Sequence, residues 1–152
     1  MTMQTVTPER EVQTIDITKE MRIKATPTVV FAALLEQIGP GSETPDGASL
    51  QMKLEAWPGG RWFRDLGNNA GHLWGHVQVI KPPTLLEISG PMFMSYPAIS
   101  HLQYRIAADG AGSKLTLTHK AMGLIPAEHR EGVGQGWEHW MQQIQMRAEG
   151  KL

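Results

Sequence analysis

Residues 98–121 read AISHLQYRIAADGAGSKLTLTHKA, two runs of period-two alternation around the turn Gly110-Ala111-Gly112-Ser113. Setting Ile106 opposite Leu115 places Tyr104 opposite Leu117 and Leu102 opposite His119. Leu102, Tyr104, Ile106, Leu115 and Leu117 then share one face, and a slip of one residue would send one strand's set to the other. An antiparallel hairpin with one dry and one wet face follows.

Working outward, Ile15, Ile17, Met21 and Ile23 alternate with polar residues across Thr14–Ala25, the pattern of another half-buried strand. Lys19 interrupts its apolar row, which suggests a bulge or a strand end. Thr26-Pro27 supplies an N-cap candidate followed by proline at the first helical position. The apolar run Val29–Leu35 then predicts a short, buried helix ending near Gly39. Gly39–Ser49 is a Gly/Pro-rich loop. Leu50–Leu54, Arg61–Leu66, His72–Ile80 and Leu85–Ser89 read as four strands, separated by Pro58-Gly59-Gly60 and Pro82-Pro83 among other breaks. In His72–Ile80, strict alternation puts Leu73, Gly75, Val77 and Val79 in one row and His72, Trp74, His76 and Gln78 in an outer row. The period changes at the end of the chain. Trp137, Trp140, Met141, Ile144 and Ala148 form one stripe of a helix from about Pro126 to Glu149, although Gly132, Gly134 and Gly136 weaken its first half. The fold class is α+β: a curved antiparallel sheet of about seven strands around a long C-terminal helix, with a short helix after the first strand. An apolar sheet face of this kind needs the long helix as its cover.

The chain has 152 residues, 14 Lys+Arg against 15 Asp+Glu, and a formal net charge of −1. Without clustered basic charge, neither nucleic acid nor an anionic membrane is an expected partner. The 41% hydrophobic and 19% charged composition suits a folded domain. The absence of cysteine excludes disulfides, thiolate zinc sites and cysteine nucleophiles, and fits a cytoplasmic setting. Met1–Gln13 has no apolar core of a secretory signal, and no window approaches 18 apolar residues. Residues 1–13 are expected to form a disordered arm and residues 14–152 a single domain. Nine Met and five Trp stand against three Phe and two Tyr.

Several pieces together resemble the START-like, or SRPBCC, superfamily with its helix-grip fold. They are Ile23-Lys24-Ala25-Thr26-Pro27 with Val30-Phe31 and Ala33-Leu34, then Pro58-Gly59-Gly60-Arg61-Trp62 and Gly75-His76-Val77 with Pro82-Pro83 and Leu86. Ser113 to His119 and Gly136-Trp137 complete the set. Within the superfamily the chain is most similar to bacterial proteins related to the heat-shock-protein-90 ATPase activator, which are polyketide-cyclase-like. The resemblance implies a hydrophobic cavity between sheet and helix. It implies little about chemistry, since the superfamily mixes carriers, cyclases and chaperone-binding domains. Where the family commonly has a tryptophan-bearing segment after the first helix, this chain has the Gly39–Ser49 loop.

Six residues are candidate ligand contacts: Trp62, Arg64, Tyr104, His119, Trp137 and Met141. His119 and Tyr104 on the dry face could orient a ligand or act as acid and base, or could simply be hydrogen-bonded core residues. Arg64 points inward under strict alternation and could clamp an anion. A bulge turning Phe63 inward, or a pair with Asp65, would remove it from that role. His72 and His76 lie about 13 Å apart along a strand, too far to share an ion, and His129 and His139 leave different helix faces, so no metal or other cofactor is expected. The glycines at 132, 134 and 136 read as permitting close helix–sheet approach or a kink. Glu128, Glu131 and Glu138 read as solvated, and the tryptophans as core.

Three functions follow. One is binding of a small apolar or aromatic molecule. A second is a cyclase, dehydratase or hydrolase using His119 and Tyr104. The third is a co-chaperone-like interaction surface formed by Trp74, His76, His101 and Arg105, of which a homodimer through that face is a milder form. Met21, Met52, Trp62, Trp137 and Met141 all fall on rows expected to face a cavity, a pliable apolar lining.

Overall fold

The computed structural model describes residues 2–5 and 11–152. Part of the expected N-terminal arm, residues 1–13, lies outside the described residues. The elements run β1 (Gln13–Ile23), α1 (Pro27–Ile38), β2 (Met52–Leu54), β3 (Arg61–Gly67), β4 (Ala70–Lys81), β5 (Leu85–Gly90), β6 (Ala98–Asp109), β7 (Gly112–Gly123) and α2 (Ala127–Ala148). All seven strands form one antiparallel sheet in the order β1-β7-β6-β5-β4-β3-β2.

The β6–β7 hairpin has the register set by its alternation: Leu102 faces His119, Tyr104 faces Leu117 and Ile106 faces Leu115. These six side chains are all buried. β1 adds to the open side of β7 with no register shift, which corrects the expected break at Lys19. Lys19 keeps its inward position opposite Leu117. A long aliphatic stem makes this tolerable, because the ammonium reaches the edge of the core and meets Glu138 of α2 at 3.2 Å. Glu138 is therefore an ion-pair partner as well as a surface acid.

β4 departs most from strict alternation. Trp62 pairs with Gly75, but Phe63 pairs with Leu73, so Trp74 is an extra residue on the β4 side. Such a bulge reverses the phase of the strand. Trp74 turns inward, 7% exposed, and Leu73 turns outward, the opposite of the expected rows. A second shift lies between Val77 and Val79, after which Val79 leaves the inward row and Ile80 packs against the core. Gly75 fits this irregularity: a Cβ there would sit 2.7 Å from the Ser89 carbonyl oxygen. An isolated glycine within a strand pattern is the sequence sign of such a bulge.

α1 begins at Pro27, but the Thr26 side chain makes no capping hydrogen bond. Its buried face carries Val30, Phe31, Leu34 and Ile38. The helix is pinned to β3 by Trp62, whose Nε1 donates to the Ile38 carbonyl at 2.7 Å. The two helices are tied at their ends by Arg147, whose guanidinium donates to Gln37 Oε1 (2.7 Å) and to the Gly41 carbonyl (2.8 Å). α2 lays Val133, Trp137, Met141 and Ile144 into the core. Trp57 is the exception among the tryptophans expected in the core, being 58% exposed.

Trp62→Phe keeps most of the ring but leaves the Ile38 carbonyl without its indole donor. A loss of about 2 kcal/mol is expected, read by equilibrium urea unfolding.

Candidate functional site

A cavity of about 310 Å³ opens where the first half of α2 passes over β4. Its walls are Trp74 from β4, Phe93 from the β5–β6 loop, and Trp137 and Trp140 from α2. The rings stand at steep angles: Trp137 to Trp140 at 80°, Trp74 to Phe93 at 70° and Phe93 to Trp137 at 59°. Only Trp74 and Trp140 run nearly parallel, at 14° and 6.1 Å between centroids. Glu128 and His129, in the first turn of α2, form the rim.

Local sequence explains each wall. The bulge aims Trp74 inward. The loop Pro91–Pro97 buries Met92 and Met94, 0% and 2% exposed, so the residue between them, Phe93, is turned to the cavity. Met92 is tied back by its amide to the Trp74 carbonyl at 2.8 Å. Tyr96, in the same loop, bonds through its hydroxyl to His129 Nδ1 at 2.6 Å, joining loop and helix at the rim. Burial chiefly, and the Glu128 charge secondarily, push the Tyr96 phenol above its usual range.

The floor is made by absence of side chain. Gly132 and Gly136, both solvent-exposed, line the cavity one helical turn apart, and a Cβ built on either meets nothing within 4 Å among the described residues. These two glycines therefore do not serve close helix–sheet packing. Gly134, facing Ile17 and Lys19 at 3.8 and 3.7 Å, comes nearest to that expectation.

Of the six candidate contacts, Trp137 lines the cavity and the other five do not. Trp62 stands behind the wall, edge-on to Trp74 at 5.1 Å between ring centroids. Met141 is buried in the core beneath α2. Arg64 has the inward phase, opposite buried Met52 and half-buried His72, but it sits at the far end of the sheet. Its Nε donates to the Leu50 carbonyl at 3.1 Å, it lines a separate concavity beside His72, and Asp65 is instead held by Lys53 at 2.7 Å. Tyr104 is buried with no partner for its hydroxyl among the described residues, and burial pushes its phenol well above the usual range.

His119 is completely buried and engaged on both nitrogens. Trp137 Nε1 donates to its Nδ1 at 2.9 Å, so its Nε2–H is free to donate to Ser100 Oγ, also at 2.9 Å. Burial lowers its pKa to about 4, so the ring is neutral and held in one tautomer. It positions Trp137 and, through it, one cavity wall.

The outer face also differs from expectation. Trp74 is not there, which removes the aromatic member of the supposed interaction surface. His76 and Arg105 are exposed, while half-buried His101 lies 3.2 Å from Glu87. Among the described residues no group of three His, Cys, Asp or Glu could hold a metal ion, and no helix is long and apolar enough to cross a membrane.

Residues 24–149 match the family described as activator of Hsp90 ATPase homolog 1-like protein. The chain belongs to that family. Solved structures of similar fold include an uncharacterised protein from Rhizobium leguminosarum, 18% identical, with TM-score 0.73 over 93% of this chain and 99% of the other. CalU16 from Micromonospora echinospora is 23% identical, with TM-score 0.62 over 92% of this chain and 85% of that one. The Aha1 dimer from Colwellia psychrerythraea is 15% identical, with TM-score 0.62 over 90% and 98%. No curated protein matches the chain. These likenesses agree with the helix-grip architecture of the family and do not select a ligand.

Trp74, Phe93, Trp140, His129 and the glycine floor were not among the candidate contacts. Two signals for them existed: Gly75 within β4, and the Pro-bracketed Met92-Phe93-Met94 triplet.

The His119 shift carries a pH dependence. Below about 6.5 an unfolded histidine takes up a proton that the buried ring refuses down to about 4. Stability from this site is thus complete above pH ~6.5 and falls by on the order of 3 kcal/mol as pH drops through that window. Urea midpoints measured from pH 7.5 to 4 should fall less steeply in His119→Gln than in the parent.

Proposed function

We propose that this protein binds a small, flat, largely apolar molecule between the Trp74, Phe93, Trp137 and Trp140 rings. The observation that carries this reading is the glycine floor. Gly132 and Gly136 each cost a helix roughly 1 kcal/mol relative to alanine, and among the described residues nothing lies within 4 Å of a Cβ at either of these exposed cavity-lining positions. Helix stability alone would favour a side chain at both. Room for a guest is what the arrangement provides, and three indoles with one phenyl ring supply broad, rigid contact for an aromatic one.

Binding is favoured over catalysis by where the titratable groups lie. His119 has both nitrogens occupied inside the core, and Tyr104 is buried away from the cavity lining. A general base needs an available lone pair within reach of a proton on the substrate. The rim imidazole of His129 is held by Tyr96, which suits a latch or an orienting contact.

Tryptophan fluorescence titration with 2-naphthol tests the reading, because the guest would contact three indoles. Gly136→Leu should abolish quenching at concentrations that saturate the parent, with thermal stability unchanged or higher. Equal binding by the Leu variant would place the guest elsewhere and overturn the proposal. Separately, Gly132→Ala and Gly136→Ala should each raise unfolding stability by about 0.5–1 kcal/mol.

A further inference from the structure

The charge pattern of the cavity narrows the guest further, an inference that rests on the binding reading above. We propose that the preferred ligand carries a quaternary or fully substituted ammonium group on an aryl or similarly apolar body. The walls are the rings of Trp74, Phe93, Trp137 and Trp140, whose faces, unlike their edges, carry the negative end of the ring quadrupole. Cations within about 6 Å of such faces are attracted by the ring quadrupole, most strongly by indole. Among the described residues the only carboxylate on the lining is Glu128, at the exposed rim, and no lysine or arginine lines the cavity. Lys19, whose side chain reaches this part of α2 beside Gly134, is held by Glu138.

The same pattern disfavours other ligand classes. Among the described lining residues a carboxylate or phosphate would find the Glu128 charge and no lysine or arginine, only the His129 imidazole beside it. The Trp74 Nε1–H is buried and has no hydrogen-bond partner among the described residues, but one neutral donor does not neutralise an anion. A primary ammonium would bring three N–H donors into walls that offer almost no acceptors, leaving them unsatisfied. A substituted ammonium carries its charge without that demand and is weakly hydrated, so aromatic walls can replace its water at low cost. Glu128 then faces the positive end at the rim, while the body of the ligand lies over the glycine floor.

Three probes of similar size and different charge test this: phenyltrimethylammonium, its neutral isostere tert-butylbenzene, and benzenesulfonate. Dissociation constants are read by tryptophan fluorescence and confirmed by ligand-observed NMR on the full chain. The cation should bind about tenfold more tightly than the isostere. Glu128→Gln, a surface change that leaves the fold intact, should weaken the cation about three- to fivefold and leave tert-butylbenzene unchanged. Equal or tighter binding of tert-butylbenzene, or tightest binding of benzenesulfonate, overturns the ammonium inference while leaving an aromatic-guest cavity in place. If no probe binds, or Gly136→Leu leaves all three affinities unchanged, the cavity reading fails as well.

Discussion

Trp137 is where the helix and the sheet become one structure. Its Nε1 donates to a buried histidine that in turn bonds to Ser100, so one indole fixes α2 against β7 and β6 together. The same ring then closes one side of the cavity. Breaking this chain would leave a buried donor and a buried acceptor unpaired, each costing on the order of 1–3 kcal/mol. The fold can keep an open space beside the helix because the helix is held firmly on the sheet at that point. Trp62 and Arg147 perform a similar service for α1, each reaching a carbonyl at or beyond the end of that helix.

The β6–β7 hairpin was legible from sequence because one residue of slip would have sent one strand's apolar set to the other face. The same rule failed on β4, where two bulges change phase inside one strand. Alternation reads side-chain direction only while the ladder is regular, so Trp74 was assigned to the wrong face by a correct pattern. Lys19 misled in the opposite way. Its charge suggested a break, yet the strand is regular, and the side chain escapes burial by its length. Arg64 had the inward phase that alternation gave it, but phase does not say how far along the sheet the cavity lies.

The candidate site shows the same division. His119 and Tyr104 were singled out because they are polar groups on an apolar face, and that is where they are. Lateral position decided the rest: the cavity lies toward β4 and the first half of α2, beyond the β6–β7 centre where these two residues sit. Phe93 comes from a connection with no periodicity at all. Membership of the activator of Hsp90 ATPase homolog 1-like family agrees with the sheet, the grip and the long helix. A shared framework leaves ligand choice to wall residues such as these, which differ in role from the core that carries the family pattern.

The paired glycines of α2 have an evolutionary side. Replacement by alanine at position 132 or 136 would strengthen the helix and narrow the chamber, and the added Cβ meets nothing within 4 Å among the described residues. Two sites that help set chamber size thus bear on helix stability but not on core packing. Under the proposed binding role, guest preference in a lineage of such chains could drift in single steps without passing through an unstable intermediate. Helix stability favours filling the space, and under that same role retention of a guest would oppose it.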